Sequence, residues 1–277
     1  MDLSNVKDLK AAMQLAGIKA NKGLGQHFLI DGESVDAIIA AAEIAPLDTV
    51  LEIGPGLGVM TDELGKTGAR IVAVETDSNL VELLRRRVPD NVIIEESDIM
   101  KFNLSTLPSN YKVVANVPYY ITSPIIRLLM ESQNPPAISV LLIQKEVAER
   151  IAAKPGQMSI LALSVQYYAE VELVADVPRD KFYPAPRVDS TIIKITRREQ
   201  PVFAADARTL FRLMKAGFGE KRKQLRNALA GGLHISSQQA AELIEQAGFA
   251  ATVRAQELGM DQWERLYRLS VEKGYLA

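Results

Sequence analysis

Five consecutive residues, Asn116-Val117-Pro118-Tyr119-Tyr120, combine groups that can hold a flat base carrying an exocyclic amine. The Asn116 side chain offers an oxygen acceptor, the Val117 carbonyl offers a second, and the Tyr119 ring offers a stacking face. Two acceptors match the two hydrogens of a primary amine. The same residues also fit a plainer interpretation, in which Asn-x-Pro simply ends a strand.

The chemistry of an amine on adenine or cytosine explains why two acceptors would matter. Its lone pair is delocalised into the ring, which makes the nitrogen a poor nucleophile. Two oxygen acceptors aimed at its hydrogens favour pyramidalisation and return electron density to nitrogen as a methyl group moves across. This route requires no strong general base, and we assign that role to neither His27 nor His234.

The elements that position this pentapeptide alternate between strands and helices, which indicates an α/β class with a parallel sheet covered on both faces. Two later apolar-polar runs, 169–174 and 191–196, are expected to pair antiparallel at one side of the sheet. Beyond Arg198 the pattern is helical throughout, and Gln200-Pro201 is a plausible linker. We expect strands at 49–53, 70–75, 91–95, 112–115 and 138–143, and helices at 5–16, 33–44, 59–66, 78–87, 123–132, 206–216, 220–230, 236–246, 254–257 and 260–272.

A glycine-rich turn follows the first of these strands, where doubly wound sheets bind nucleotide-like ligands. A dinucleotide fingerprint starting at Gly54 would require glycine at position 59, but the chain has Val59. Glu75 ends the second strand, where a carboxylate could accept hydrogen bonds from both ribose hydroxyls, or could simply serve as an acid at a helix N-terminus. Asp98, past the third strand, could accept from an adenine amine. Together these residues describe an adenosine without phosphates and predict S-adenosylmethionine.

Phe182 lies in a Pro-rich loop and could clamp the other face of a base turned out of its stack, although it would equally suit a buried position in a hairpin. Residues 179–227 hold 13 Lys plus Arg against 5 Asp plus Glu, in a chain of net charge −2. The uneven charge suggests a patch for a polyanion such as RNA, or else a solvated helix face. The candidate RNA-binding residues are Arg212, Lys215, Lys221, Arg222, Lys223 and Arg226.

The composition limits the remaining possibilities. The chain has 277 residues and no cysteine, which excludes disulfides, thiolate nucleophiles and cysteine-ligated zinc and is compatible with a reducing cytoplasm. No apolar run approaches the roughly 20 residues of a membrane span. We expect a soluble, unexported protein that uses no metal.

Several motifs in order resemble those of one family, the small-subunit ribosomal RNA adenine dimethyltransferases. The matching segments are Gly25-Gln26-His27-Phe28-Leu29, Glu52-Ile53-Gly54-Pro55-Gly56-Leu57-Gly58, Glu75, Asp98, the pentapeptide 116–120, Phe182-x-Pro184-x-Pro186-x-Val188-x-Ser190 and Phe218-x-x-Lys221-Arg222-Lys223-x-Leu225-Arg226-Asn227. Family members often carry Asn in place of His27 and Leu in place of Val117.

The resemblance implies a Rossmann-like, S-adenosylmethionine-dependent methyltransferase fold on a mostly parallel seven-stranded sheet, residues 1–199, with a small all-helical RNA-binding domain, residues 200–277. It also implies dimethylation at N6 of two adjacent adenosines, in the hairpin loop near the 3′ end of small-subunit rRNA. The substrate would be an immature small subunit and the enzyme a cytoplasmic monomer. The implied cofactor-binding residues are His27, Leu29, Gly54, Gly56, Glu75, Asp98 and Asn116, and the implied catalytic residues are Asn116, Val117, Pro118, Tyr119 and Phe182, with Phe182 opposite Tyr119 around the adenine.

Two alternatives stay open at this point. One is the large-subunit rRNA methyltransferase type that confers macrolide resistance, which shares the fold and a similar catalytic motif. The C-terminal run Arg254-Ala255-Gln256-Glu257-Leu258 with Met260-Asp261-Gln262-Trp263 resembles the small-subunit enzymes instead. The other is a ribosome assembly factor whose catalysis is dispensable, although the intact cofactor residues favour retained chemistry.

Overall fold

A computed structural model describes residues 6–15, 17, 26–220 and 223–276. The chain divides into two compact units, which span 1–148 with 171–197 and 149–170 with 198–277. The expected domain boundary at 199/200 lies close to the observed division after Arg197. Residues 149–170 depart from the expectation, because they group with the second unit rather than with the sheet.

The first unit carries the strands and the first six helices of the described part of the chain. The strands are β1 (Phe28–Leu29), β2 (Thr49–Ile53), β3 (Arg70–Glu75), β4 (Val92–Glu96), β5 (Lys112–Asn116), β6 (Ile138–Gln144), β7 (Ala169–Val177), β8 (Phe182–Tyr183) and β9 (Ser190–Arg197). The helices are α1 (Val6–Leu15), α2 (Gly32–Ala42), α3 (Val59–Lys66), α4 (Ser78–Arg85), α5 (Thr122–Glu131) and α6 (Lys145–Ile151). The division between the units falls inside α6, after Ala148, and inside β7, after Glu170.

Seven strands form one sheet in the order β4-β3-β2-β5-β6-β9-β7. Neighbouring strands from β4 to β6 run parallel, and β9 pairs antiparallel with β6 from Gln144↔Ser190 to Ile138↔Thr196. The expected mostly parallel seven-stranded sheet is confirmed, and the two late strands lie side by side at one edge. Parallel strands require crossover connections, and helices α3, α4 and α5 provide them.

The strand order reverses at β2, because the chain proceeds from β2 outward to β3 and β4 and then returns to place β5 on the other side. Ligands of such sheets bind outside the carboxyl ends of the strands at this switch point. The apolar side chains of β2, β3 and β5 are almost fully buried, which explains why these strands read as continuous apolar runs. The core of the first unit therefore holds four strand ends in fixed positions around one crevice.

A two-stranded ladder outside the main sheet joins β1 to β8, with Phe28 opposite Tyr183 and Leu29 opposite Phe182. Directly opposed residues share a face of the ladder. Leu29 and Phe182 enter the main hydrophobic core, whereas Phe28 and Tyr183 pack in a smaller cluster with Leu9 of α1.

The second unit is helical and has its own core. Its helices are α7 (Ile160–Gln166), α8 (Ala207–Phe218), α9 (Leu225–Leu233), α10 (Ser237–Gln246) and α11 (Met260–Glu272). Trp263 is fully buried at its centre and stacks on Phe218, with ring centroids 5.9 Å apart. The sequence pattern did not predict α6 or α7. The helices expected at 206–216 and 220–230 correspond to α8, which ends at Phe218, and to α9, which begins at Leu225.

Candidate active site

A cleft of about 420 Å³ opens at the carboxyl ends of β2, β3, β4 and β5. Residues from each strand end line it, and residues around β1 and the turn after β5 complete its walls. The lining includes every residue of the pentapeptide and the expected cofactor set: His27, Leu29, Gly54, Gly56, Glu75, Asp98, Asn116, Val117, Pro118, Tyr119 and Tyr120. The sheet topology thus brings together residues that are up to 93 positions apart in the sequence.

The glycine turn after β2 shapes the floor of this cleft. Gly54 and Gly56 have φ angles of 68° and 58°, in the left-handed region that glycine adopts without strain. A Cβ atom on Gly54 would meet no protein atom within 4 Å and would project into open space. A Cβ atom on Gly56 would lie 3.1 Å from the Phe28 ring. The turn therefore presents bare backbone to a ligand.

Glu75 is held at the mouth of β3 by backbone amides. One carboxylate oxygen accepts hydrogen bonds from the amides of Thr76 at 2.7 Å and Asp77 at 3.0 Å, and the other accepts from Gly56 at 3.2 Å. The Thr76 hydroxyl also donates to the first oxygen at 3.4 Å, so the second oxygen keeps the acceptor position that is open to a ligand hydroxyl. Both interpretations of Glu75 apply to this geometry, because the same residue lines the cleft and braces the turn before α4.

Asp98 follows β4 and lines the same cleft. One of its carboxylate oxygens accepts from the Met100 amide at 2.9 Å, which orients the side chain. Ser97, Ile99 and Met100 border it and offer both polar and apolar surface to a ring. The bare turn at Gly54 and the two oriented carboxylates fit an adenosine-type cofactor, because they supply close backbone approach, a ribose acceptor and an acceptor for an exocyclic amine.

The Asn116 side chain at the end of β5 has a defined orientation. Its amide nitrogen donates a hydrogen bond to the His27 carbonyl oxygen at 2.9 Å. That bond uses the donor end, so the Oδ1 atom is the end available as an acceptor toward the cleft. The backbone next to it is fixed as well, since the Val117 amide donates to the Leu142 carbonyl of β6 at 3.1 Å.

The Tyr119 ring is restrained at two points. Its hydroxyl is hydrogen-bonded to the Ser190 hydroxyl at 2.8 Å, and Ser190 is fully buried at the start of β9. The His27 ring stacks on Tyr119 with centroids 5.8 Å apart and planes inclined by 24°, and the His27 Nδ1 atom donates to the Pro184 carbonyl at 2.6 Å. Burial raises the pKa of the Tyr119 hydroxyl above its ordinary value, which keeps it a neutral phenol.

Phe182 is the expected site residue that the structure does not bring to the cleft. Its side chain is 3% exposed and lies in the main hydrophobic core beside Leu29, its ladder partner. Phe182 is absent from the cleft lining. The alternative of a buried hairpin residue describes this position, and a stacking role for Phe182 would require its side chain to leave the core.

The candidate RNA-binding residues lie in the second unit, apart from Lys221 and Arg222, which fall outside the described residues. Arg212 and Lys215 are exposed on α8, and Lys223 is exposed before α9 and paired with Glu220. Arg226 on α9 is half-buried, and its Nε atom has no hydrogen-bond partner within the described part of the chain. These positions fit a cationic surface on the second unit.

Three structural features in or near the cleft were not predicted from the sequence. Ser190 was part of a recognised motif, but nothing in the spacing indicated that it holds Tyr119. Glu52 was also part of a motif, and a fully buried acid in an apolar strand is itself a signal of an unusual environment. Tyr120 was quoted only as the last residue of the pentapeptide.

The described residues hold neither a membrane-spanning helix nor a cluster of metal ligands. No helix among residues 6–15, 26–220 and 223–276 is long and apolar enough to span a membrane. Within the same ranges, no group of three or more His, Cys, Asp or Glu side chains is arranged to hold a metal ion.

Comparison with known sequences places this cleft in context. The family described as Ribosomal RNA adenine dimethylase matches residues 17–270. A protein of Dehalococcoides mccartyi named Ribosomal RNA small subunit methyltransferase A is 43% identical over 263 residues, which cover 93% of this chain and 90% of that protein. A protein of the same name from Clostridioides difficile is 36% identical, with coverage of 95% of each chain.

Two solved structures also match most of this chain. A dimethyladenosine transferase from Plasmodium falciparum matches with a TM-score of 0.80 and 27% identity, over 90% of this chain and 98% of that one. The 23S rRNA methyltransferase ErmE matches with a TM-score of 0.70 and 27% identity, over 87% of this chain and 98% of that one.

Proposed function

Because the chain belongs to the ribosomal RNA adenine dimethylase family, we propose that it dimethylates N6 of two adjacent adenosines in the 3′-terminal hairpin loop of small-subunit rRNA. The methyl donor is S-adenosylmethionine, which supplies an activated methyl group when bound. The relatives with which the chain shares 36% to 43% identity are named as small-subunit methyltransferases. The Plasmodium structure, with the higher of the two TM-scores, is a dimethyladenosine transferase.

The observation that carries the proposal is the orientation of Asn116. Its amide nitrogen is engaged by the His27 carbonyl, and its oxygen is therefore the group presented to a target amine. The Val117 carbonyl is the second acceptor, and the Tyr119 ring stacks on the base. In the first transfer these contacts hold the two N6 hydrogens in directions that favour a pyramidal nitrogen, and in the second transfer one acceptor holds the hydrogen that remains. The contacts strengthen as positive charge develops on the nitrogen.

The remaining cleft residues bind and orient the donor. Glu75 would accept from ribose hydroxyls and Asp98 from the adenine amine of the donor, since both line the cleft, and the backbone at Gly54 would allow close approach. His27 and Leu29 close the side of the cleft next to Asn116. No chain residue has to remove a proton before transfer, since the acceptors act on a neutral amine. The cationic N6 that each transfer leaves then releases one proton to solvent.

We also propose how the RNA substrate is bound and in which particle it is recognised. The helical second unit, with Arg212, Lys215 and Arg226, binds rRNA phosphates without reading sequence. The protein acts as a monomer on an incompletely assembled small subunit, in the cytoplasm where subunits assemble. Light scattering of the purified chain, alone and with unmodified subunits, measures both the oligomeric state and the stoichiometry.

Mapping of transferred label tests the reaction. Unmodified small subunits and large-subunit RNA are offered separately with labelled S-adenosylmethionine, and the labelled nucleotides are identified. We expect two dimethylated adenosines near the 3′ end of the small-subunit rRNA. Label confined to large-subunit RNA would overturn the substrate assignment in favour of the resistance type.

The Asn116→Ala variant tests the catalytic assignment and the assembly-factor alternative together. We expect it to lose methyl transfer while it keeps RNA binding, because the backbone of β5 is unchanged and the candidate RNA-binding residues are untouched. Turnover equal to that of the wild type would refute the role of Asn116. Wild-type protein that binds immature subunits but transfers no label would favour the assembly factor.

A further inference from the structure

Tyr120 is the one exposed Phe, Tyr or Trp side chain in the part of the chain that the structure describes, with 61% of its surface accessible. It lines the cleft beside Tyr119. Large apolar rings are usually buried at least halfway, and this exposed one stands at the rim of the candidate active site. Met100, another exposed apolar side chain, borders the same cleft.

The backbone under Tyr120 is firmly held. Residues 119–121 form a single 3-10 turn in which the Ile121 amide donates to the Pro118 carbonyl at 3.1 Å. The Thr122 hydroxyl, at the start of α5, donates to the Tyr119 carbonyl at 3.3 Å. The position of the Tyr120 Cα atom is therefore as well defined as that of the target-binding residues.

The two tyrosines differ in what holds their rings. Tyr119 is restrained by the Ser190 hydroxyl and by the His27 ring. Tyr120 makes no side-chain hydrogen bond and no ring contact with any described residue. Successive residues of a 3-10 turn point about 120° apart, so the second ring is aimed in a different direction from the first. The Tyr119 ring is therefore placed to contact a ligand in the interior of the cleft, and the Tyr120 ring is placed to contact one at its rim.

Extrusion of the target base from its stack indicates what the Tyr120 ring would bind. An enzyme that modifies a base takes it out of its stack, and the adjoining base then loses a stacking partner. Proteins that bind single-stranded or looped RNA commonly stack such bases on an aromatic side chain. The Tyr120 ring, which is 61% exposed and adjoins the proposed target-binding ring of Tyr119, has the placement that this replacement requires.

We propose that Tyr120 is a stacking platform for the purine base that adjoins the target adenine. The inference deepens the proposed function and rests on it, since it assumes an adenine target in a looped RNA. With two adjacent adenosines as substrate, the second adenine occupies the Tyr120 site while the first is in the cleft. Binding at this site requires a planar base and does not depend on the hydrogen-bonding groups at its edge.

Synthetic substrates separate this role from others. Small subunits are assembled with a 3′-terminal oligonucleotide that contains one target adenine. The base on its 5′ or 3′ side is either 2-aminopurine, which stacks but carries no N6 amine, or an abasic residue, which cannot stack. Initial rates of methyl transfer give KM for the subunit and kcat for each pairing.

The variants are Tyr120→Ala, Tyr120→Phe, which keeps the ring, and Leu47→Ala, a matched control at a 99% exposed apolar residue that does not line the cleft. We expect Tyr120→Ala to raise KM on the 2-aminopurine substrate by about 5- to 150-fold, the factor to which about 1–3 kcal/mol of stacking converts. The abasic substitution on one side of the target should raise KM by a similar factor for the wild type and by little for Tyr120→Ala. Tyr120→Phe and Leu47→Ala should behave as the wild type, and 2-aminopurine fluorescence should be quenched on binding only when a ring is present at position 120.

Three results would overturn the inference. One is an unchanged KM for Tyr120→Ala. Another is a Tyr120→Ala variant that stays as sensitive to the abasic residue as the wild type at both positions. The third is a loss of affinity that is independent of the neighbouring base, which would place Tyr120 against a ribosomal protein. Failure of the proposed function looks different, because the wild type would then transfer no label to the target adenine of any substrate.

Discussion

Glu52 is a carboxylic acid buried in the sheet, and its replacement by glutamine gives a sharp test of the electrostatics of the sheet interior. The side chain is fully buried on β2, between Ala73 of β3 and Val114 of β5 in the strand register. Neither of its carboxyl oxygens has a hydrogen-bond partner within the described part of the chain. Burial raises the pKa of Glu52 to about 8. The nearby Thr61 hydroxyl and the Arg87 guanidinium act against this shift, and the carboxylates of Asp62 and Glu75 add to it.

The pH dependence follows from this raised pKa. An ordinary glutamate has a pKa of 4.5, so between pH 4.5 and about 8 the unfolded chain has released a proton that the folded chain retains. Stability therefore falls as pH rises through this window, is unaffected by Glu52 below it, and levels off above it. At about 1.4 kcal/mol per pKa unit, the gap corresponds to at most about 5 kcal/mol.

The Glu52→Gln variant keeps the shape of the side chain and removes the titration. We expect the free energy of unfolding of wild type and variant to be similar near pH 5, and the variant to be more stable by up to about 5 kcal/mol at pH 9. Glu95→Gln, at an exposed acid on β4, is the matched control and should show no such divergence.

The measurement must report on the first unit. The single tryptophan, Trp263, is buried in the second unit, so its fluorescence reports the unfolding of that unit and not of the sheet. Pulsed hydrogen exchange of peptides that cover residues 49–53, after equilibration in urea at pH 5 to 9, follows the sheet directly. Curves for wild type and Glu52→Gln that stay parallel across the whole range would refute the argument, since they would show an acid with the same pKa in both states.

The other predictions concern the cleft and the cationic surface. Ser190→Ala and Tyr119→Phe should each lower kcat/KM for RNA about 2- to 12-fold, which corresponds to the free energy of one hydrogen bond. The double variant should be no less active than either single variant, and additive losses in the double-mutant cycle would contradict a shared bond. Gly54→Ala should lower the free energy of unfolding by about 1–2 kcal/mol and also weaken S-adenosylmethionine binding, which calorimetry measures. Gly68 has a similar positive φ angle but lies outside the cleft, so Gly68→Ala should lower the free energy of unfolding alone. Lys215→Ala should weaken RNA binding and reduce the slope of log affinity against log salt by about 1, and an unchanged slope in a salt titration would remove Lys215 from the interface.

The strands that carry the site could be predicted from the sequence almost to the residue. Thr49–Ile53 and Arg70–Glu75 occupy their expected positions. They are short apolar runs bounded by glycine or by polar capping residues, and burial on both faces of a parallel sheet leaves little room for any other pattern. Because parallel strands end at one edge, the convergence of Gly54, Glu75 and Asn116 followed from their places in the pattern.

The segment 149–170 shows where that reasoning stops. It contains α7 and the end of α6, and Met158, Leu163 and Tyr167 are buried in the core of the second unit. Each apolar stretch in this segment is only about two helical turns long, so its periodicity is too weak to distinguish helix from loop. These helices are stabilised by packing against partners that are distant in sequence, which a local pattern does not contain.

The restraints on the side chains of the cleft could not be predicted from the sequence either. The Tyr119–Ser190 bond joins positions 71 apart, and the Asn116–His27 bond joins positions 89 apart. Residue types alone indicated that Asn116 could accept a hydrogen bond, but only the tertiary contact decides which end of its amide faces the cleft. The motif spacing thus predicted which residues meet, and left open how each is oriented.

Phe182 illustrates the difference between a motif and a position. The sequence offered two interpretations, a clamp on the target base or a buried residue of a hairpin, and the choice depends on a single register. The β1–β8 ladder sets Leu29 opposite Phe182, and both side chains enter the core together. A shift of that ladder by one residue would exchange the faces and turn Tyr183 inward instead. In the observed register, the aromatic residues that line the cleft are His27, Phe28, Tyr119 and Tyr120. Phe28 is 7% exposed, so His27, Tyr119 and Tyr120 are the better candidates for stacking on bases.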